Sequence, residues 1–260
     1  MPTKLTYFFA DLLTMVERNL VRYQRVPQLI VFSTIQPVMF LLLFTYVFGG
    51  AIRIGGGNYI DYLLPGILVQ SAVFGAIATG IGLAEDLSKG IVDRFKSLPM
   101  ARSAVLLGRT FADMMRNIFV IMLMFGVGYL VGFRLQGSLS DAAAAFALLL
   151  AFGFAFSWIS GSIGMLVKNV ETAQVAGFIW VFPLVFASSV FVPVQSMPEW
   201  LQVFAEWNPV TIMVNAARAL LLQNVGEYET ALYAWQSIGW IVVILLIFMP
   251  LAVYLYRRTN

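Results

Sequence analysis

Six apolar runs, each about as long as a bilayer is thick, govern what this chain can fold into. They cover residues 27–48, 63–84, 110–132, 142–167, 175–192 and 235–256. A hydrocarbon core of about 30 Å is crossed by roughly 20 residues of helix at 1.5 Å per residue. Runs of that length and apolarity predict transmembrane helices. They account for nearly all of the chain between the polar connections, so a single membrane domain over residues 1–260 is expected, with no stretch left for a separate soluble core.

Composition agrees with the spans. Charged residues make up 11% of the 260 positions and hydrophobic ones 60%, against about 25% charged in an ordinary soluble domain. Cysteine and histidine are both absent. That removes disulfides, thiolate and imidazole metal ligands, and Ser-His or Cys-His nucleophile pairs. The first 25 residues are too polar for the apolar core of a signal peptide, so the N-terminus is expected to be retained.

Basic residues set the orientation, because Lys and Arg are kept on the cytoplasmic side. One set holds Lys4, Arg18, Arg22, Arg25, Lys89, Arg94, Lys96, Arg102, Arg109, Lys168, Arg257 and Arg258; the other holds Arg53, Arg134 and Arg218. Six spans then place both termini, the 85–109 connection and the short 168–174 connection in the cytoplasm.

Two segments fit neither spans nor plain loops. In residues 5–25, Phe8, Phe9, Leu12, Leu13, Val16 and Leu20 recur at helical spacing opposite Asp11, Glu17, Arg18 and Arg22. This predicts an amphipathic helix in the inner interface, bracing the first span; a soluble helix packed on a cytoplasmic partner has the same pattern. Residues 194–225 hold two apolar segments of about ten residues, punctuated by Pro193, Pro198 and Pro209, too short to cross and suited to a re-entrant or interfacial position. Trp200 and Trp207 match that depth. Such a segment serves as a gate or as a cap holding span ends together.

No G-x-x-x-x-G-K-[ST] phosphate loop is present, so ATP is not held that way. Ionisable residues inside the spans, which ion-coupled carriers need, are nearly missing. Asp113 and Arg116 stand at i, i+3 near the start of the third span, where pairing and snorkelling to the interface are expected. The glycines of Gly80–Leu83 and Gly161–Met165 predict close helix packing. Energy for active transport would then come from another polypeptide. Residues 85–100 offer a place for it: Ile91, Phe95 and Leu98 share one face of a short helix rimmed by Asp93, Arg94 and Lys96, Gly90 permits a bend before it and Pro99 ends it. A docking helix and a solvated loop both fit that pattern.

The sequence EDLSKGIVDRFKSLPMARSAVLLGR (residues 85–109), followed by FVPVQSMPEWLQVFAEWNPVTIMVNAAR (residues 191–218), resembles the type-2 ABC export permeases, and within them the daunorubicin/doxorubicin-resistance group. The resemblance implies an all-α membrane protein of six transmembrane helices with an N-terminal interfacial helix. It makes the first motif a cytoplasmic coupling helix entering a cleft on an ATPase, with Glu85, Lys89, Gly90, Asp93, Arg94, Leu98 and Pro99 at the matching positions. Between spans five and six it implies an outer re-entrant helical hairpin, matched at Pro193, Met197, Pro198, Trp200, Leu201, Asn208, Pro209 and Arg218. The partners it implies are two copies of a cytoplasmic ABC ATPase and a second permease subunit, identical or paralogous. ATP and Mg would be bound by the ATPase and no cofactor by this chain; nucleic acid is not expected as a partner, and membrane lipid is.

The cargo is less constrained. Apolar spans with scattered Gln36, Phe40, Gln70, Phe74, Trp158, Ser162 and Trp180 suit a path for a hydrophobic or amphipathic molecule. The expected function is that of the permease subunit of an exporter carrying a drug or natural product out across a bacterial plasma membrane. Export of a lipid or lipid-linked envelope component is the alternative. A stand-alone channel or ion-coupled carrier is disfavoured by the scarcity of intramembrane charge.

Overall fold

The computed structural model describes residues 4–50, 58–96, 102–222 and 230–258. Among these residues every regular element is helical: α1 (Lys4–Arg25), α2 (Gln28–Leu43, continued by a wider π turn over Phe44–Phe48), α3 (Tyr59–Ser88), α4 (Ile91–Lys96), α5 (Arg102–Val131), α6 (Leu139–Val167), α7 (Val170–Phe186), α8 (Glu199–Trp207), α9 (Pro209–Leu222) and α10 (Thr230–Arg258). The all-α class expected from the apolar runs is what the chain adopts.

Among the described residues, five helices are long and apolar enough to cross a bilayer: Ile30–Phe48, α3, Ser103–Val131, α6 and α10. The segment expected as the fifth span, residues 175–192, is helical only as far as Phe186, and α7 has 17 residues. At 1.5 Å per residue that is about 26 Å, short of the roughly 30 Å core. α3, α5, α6 and α10 extend beyond their hydropathic runs at one end or both, because hydropathy registers only the part that meets hydrocarbon. α6 starts early for a further reason: Ser138 caps it in a reciprocal box with Asp141, each side chain accepting the other's backbone N–H at 3.2 Å.

α3 forms the axis of the bundle and packs against α2, α5, α6, α7 and α9. Small residues permit this. A Cβ on Gly164 would overlap the backbone of Gly80, and one on Gly80 would overlap Ser160 of α6. The two glycine-containing motifs of the spans thus bring α3 and α6 backbone to backbone, the close packing their composition predicts.

α1 departs from expectation in what it braces. Met15, Asn19 and Tyr23, one stripe at four-residue spacing, are buried, and the helix packs along α5 rather than the first span. Phe9 and Leu13 remain exposed on a neighbouring stripe, available to lipid as an interfacial helix requires. α2 also keeps an apolar face free, through Phe32, Ile35, Met39, Leu43 and Tyr46, and α7 does so through Val175, Ile179, Phe182 and Phe186.

Candidate functional site

Three places along the bundle gather the polar side chains. The first is the C-terminal end of α3. Arg18 and Arg22, one turn apart on α1, meet the adjacent carboxylates Asp86 and Glu85: Arg18 Nη2 lies 2.9 Å from Asp86 Oδ1, and Arg22 pairs with Glu85. Lys89 closes on Glu85 from one turn later at 2.6 Å. Gly90, at φ +65°, then turns the chain into α4, a left-handed conformation that glycine adopts without steric cost. Val92 is buried against Met15, Leu83, Val105 and Trp158, and half-buried Phe95 packs on the same cluster with the Arg18 guanidinium 4.9 Å above its ring. Arg94 is exposed.

This arrangement corrects one expectation. Phe95 was expected on the outward face with Ile91 and Leu98, but it joins Val92 on the face that holds α4 to the membrane domain. Spacing of i, i+4, i+7 could not reveal that Val92, which the sequence reading passed over, anchors the helix. Leu98 and Pro99 lie outside the described residues, and the side chain of Asp93 is likewise not described.

The second place lies deeper, where α1, α3 and α5 meet. Asp113 is buried at 2% exposure and accepts hydrogen bonds from Tyr23 of α1 and Thr79 of α3, with Arg109 Nε 3.5 Å away. Burial, and next the Asp113 carboxylate, hold the Tyr23 phenol above its ordinary pKa, so it stays a neutral donor. Arg116 donates from Nη2 to Gly75 O at 2.6 Å and to Asn117 Oδ1 at 3.3 Å. The expected Asp113–Arg116 pair and its snorkelling are therefore not what forms. Asp113 pairs with Arg109 one turn earlier, and α1 covers this part of α5 before either side chain reaches the interface.

Beside Arg116 opens a cavity of about 110 Å³ between α2, α3 and α5, with Ser33, Gln36, Gln70, Phe74, Arg116 and Asn117 in its wall. It unites three of the expected path residues, Gln36, Gln70 and Phe74. The remaining four are elsewhere. Phe40 stacks toward Phe44 and Phe191. Trp180 stacks on Phe156 within the core. Trp158 is buried in the C-terminal half of α6, and Ser162 bonds back to Trp158 O at 2.9 Å.

The third place is the seam between α3, α7 and α9, at the N-terminal end of α3. After α7 the backbone of residues 187–192 is unwound, and side chains from other helices satisfy its carbonyls. Asn208 donates to Leu184 O and Ala187 O at 2.7 and 2.9 Å; Tyr62 donates to Ser189 O and Tyr59 to Phe191 O, both at 3.0 Å. Arg218, 1% exposed, donates from Nε to Tyr62 O at 3.0 Å and from Nη2 to Ser189 O at 2.7 Å, with its plane 3.4 Å from the Tyr62 ring centroid. Irregular backbone at membrane depth persists only where protein groups replace water, and these do. Of the expected hairpin residues, Asn208 and Arg218 hold the seam, and Pro193, Pro198 and Pro209 stand at helix starts or just before them. Trp200 is exposed on α8, and Met197 sits in the turn ahead of that helix. Tyr59, Tyr62, Ser189 and Asn215, whose Oδ1 accepts from Ser189 Oγ at 3.2 Å, were not foreseen; Tyr59 and Tyr62 at i, i+3 with the paired Ser188 and Ser189 are the signal that would have found them.

Apolar helices of crossing length packed around a glycine-notched axis define a multi-pass membrane protein. The chain belongs to the ABC-2 type transporter family, which it matches over residues 10–222. It is 33% identical over 248 residues to a daunorubicin resistance ABC transporter permease of Streptomyces coeruleorubidus, covering 95% of this chain and 86% of that one. A putative transport permease of Cyanophora paradoxa is 26% identical, covering 97% and 89% of the two chains. A probable doxorubicin resistance ABC transporter permease of Mycobacterium tuberculosis is 25% identical, covering 83% and 78%. Membership makes the chain a transport component and implies an ABC ATPase partner and a permease dimer.

Proposed function

We propose that this chain is the permease subunit of an ATP-driven exporter carrying a hydrophobic or amphipathic small molecule, a drug or natural product, out across the bacterial plasma membrane. The observation that carries the reading is the clamp at the cytoplasmic end of α3. Arg18 and Arg22 tie α1 to the Glu85–Asp86 pair, and Val92 and Phe95 seat α4 on the same body. A push on the exposed Arg94 side of α4 therefore moves α1, α3 and α4 together. Two ATPase copies, holding ATP and Mg, would deliver that push. Two permease subunits, identical or paralogous, would rock about their shared interface, with α7 serving as a short fifth span and both termini in the cytoplasm. On this reading residues 5–25, 85–100 and 194–225 are the interfacial, coupling and outer re-entrant elements of one domain, and the outer seam around Asn208 and Arg218 is the gate.

A second reading, export of a lipid or lipid-linked envelope component, is favoured by the size of the cavity. At about 110 Å³ it takes a headgroup and not a whole drug, since drug-sized pockets run to roughly 300–1,000 Å³. Vesicles containing the permease with its copurified ATPase separate the two. ATP-dependent transfer of daunorubicin supports the drug reading, transfer of a fluorescent phospholipid alone replaces it with the lipid one, and movement of either without ATP overturns the exporter.

A further inference from the structure

The cavity between α2, α3 and α5 has a polarity that restricts what enters it. Gln70 is 2% exposed and Arg116 6%, and Gln70 Oε1 and Arg116 Nε are both buried without a hydrogen-bond partner. Such groups are costly when left unpaired, and more so when charged. The charge count sharpens the point. In the buried cluster at this level, Asp113 is the carboxylate, and Tyr23, Thr79 and Arg109 already occupy it. Arg116 forms no ion pair among the described residues; its other nitrogen serves the neutral oxygens of Gly75 and Asn117. Two guanidiniums against one carboxylate leave one positive charge in excess beside the cavity, and no carboxylate stands in the cavity wall.

Resting on the exporter reading, we infer that this cavity is a headgroup subsite for an acidic amphiphile. A carboxylate or phosphate oxygen would accept from Arg116 Nε, and a hydroxyl on the same headgroup would donate to Gln70 Oε1. An ammonium group could donate only to neutral oxygens such as Gln70 Oε1; it finds no ionised partner in the wall and meets the excess positive charge. The volume admits the headgroup alone. Ser33, Gln36 and Pro37 place α2 in the cavity wall, and the exposed apolar face of α2 gives the tail a surface beside it.

The test is equilibrium binding to the full-length chain with its ATPase, in phosphatidylcholine nanodiscs and without ATP. The probes are 11-(dansylamino)undecanoic acid and the primary amine of the same length. The acid is expected to bind at least about tenfold more tightly than the amine, the size of one charge-assisted hydrogen bond. Arg116→Gln should remove that preference, and Arg116→Lys should restore part of it. Ala78→Leu, which fills the cavity from α3 and leaves Arg116 in place, should abolish acid binding. Displacement by lysophosphatidic acid and not by decanoate identifies a lipid phosphate as the natural headgroup; the reverse identifies a free carboxylic acid. An amine that binds as well as the acid overturns the inference, and the wild-type comparison needs no variant to fold. So does acid binding that survives both Arg116→Gln and Ala78→Leu, or that neither competitor displaces. The exporter reading stands or falls separately, on ATP-dependent transport.

Discussion

Replacing Arg218 by lysine keeps the charge and removes the geometry, so it measures what the guanidinium contributes to the outer seam. Nε and Nη2 reach two different carbonyls, Tyr62 O on α3 and Ser189 O after α7, while the plane lies on the Tyr62 ring. One ammonium at the end of a flexible stem cannot hold both carbonyls and stack as well. Loss of one charge-assisted bond costs about 1.5–3 kcal/mol, and loss of the ring contact adds about 0.5–2 kcal/mol. Taken together, about 3 kcal/mol is expected, or a fall in Tm of about 6–12 °C for a chain of this size. Thermal unfolding of the purified permease in detergent reads this directly, with Arg257→Lys as an exposed control that should leave Tm within about 1 °C. An Arg218→Lys protein melting within about 2 °C of wild type would refute the account of the seam.

Further expectations follow from the packing and the clamp. Gly164→Ala sets a Cβ against the Gly80 backbone and should cost about 1–3 kcal/mol, whereas Gly239→Ala meets open space and should leave the melting curve unchanged. Tyr23→Phe removes a donor from buried Asp113 and should lower stability by about 2 kcal/mol, read as a Tm fall of about 4–8 °C. Arg22→Gln opens a partly exposed ion pair worth at most about 1 kcal/mol, so Tm should barely move; in vesicles with the ATPase, transport per ATP hydrolysed should fall. Unchanged coupling in that variant would remove α1 from the transmission path.

What could be read from the sequence was what repeats along the chain. Apolar run length gave the crossing helices, and helical spacing in residues 5–25 gave α1. Paired glycines gave the α3–α6 contact, and the bend at Gly90 was visible because few other residues take its φ. The failures all concern which side of a helix meets which neighbour. Asp113 and Arg116 are one turn apart on α5, but α1 and α3 supply closer partners for Asp113 from 90 and 34 residues away in sequence. Phe95 looked outward until α1 placed Arg18 above it. Hydropathy carried the fifth span through residues 187–192, because apolar residues persist there after the backbone has left the helix. Only the distant Asn208, Arg218, Tyr59 and Tyr62 show how that departure is stabilised. Gln36, Gln70 and Phe74 were chosen as polar or aromatic exceptions in apolar spans, and that signal found the cavity wall. The same signal admitted Trp158, a core residue, and Trp180, which is half-buried against the core.

If the Arg94 side of α4 is where an ATPase drives this permease, that contact can be measured directly, because the sequence contains no cysteine. Arg94→Cys then carries a unique benzophenone–maleimide label in membranes that also contain the partner ATPase, and irradiation tests what that face touches. The account predicts a crosslinked species joining the permease to the ATPase subunit, and transport lost in Arg94→Glu while the protein still folds. A label that crosslinks only to lipid or to the permease itself, or an Arg94→Glu protein transporting at the wild-type rate, would contradict it.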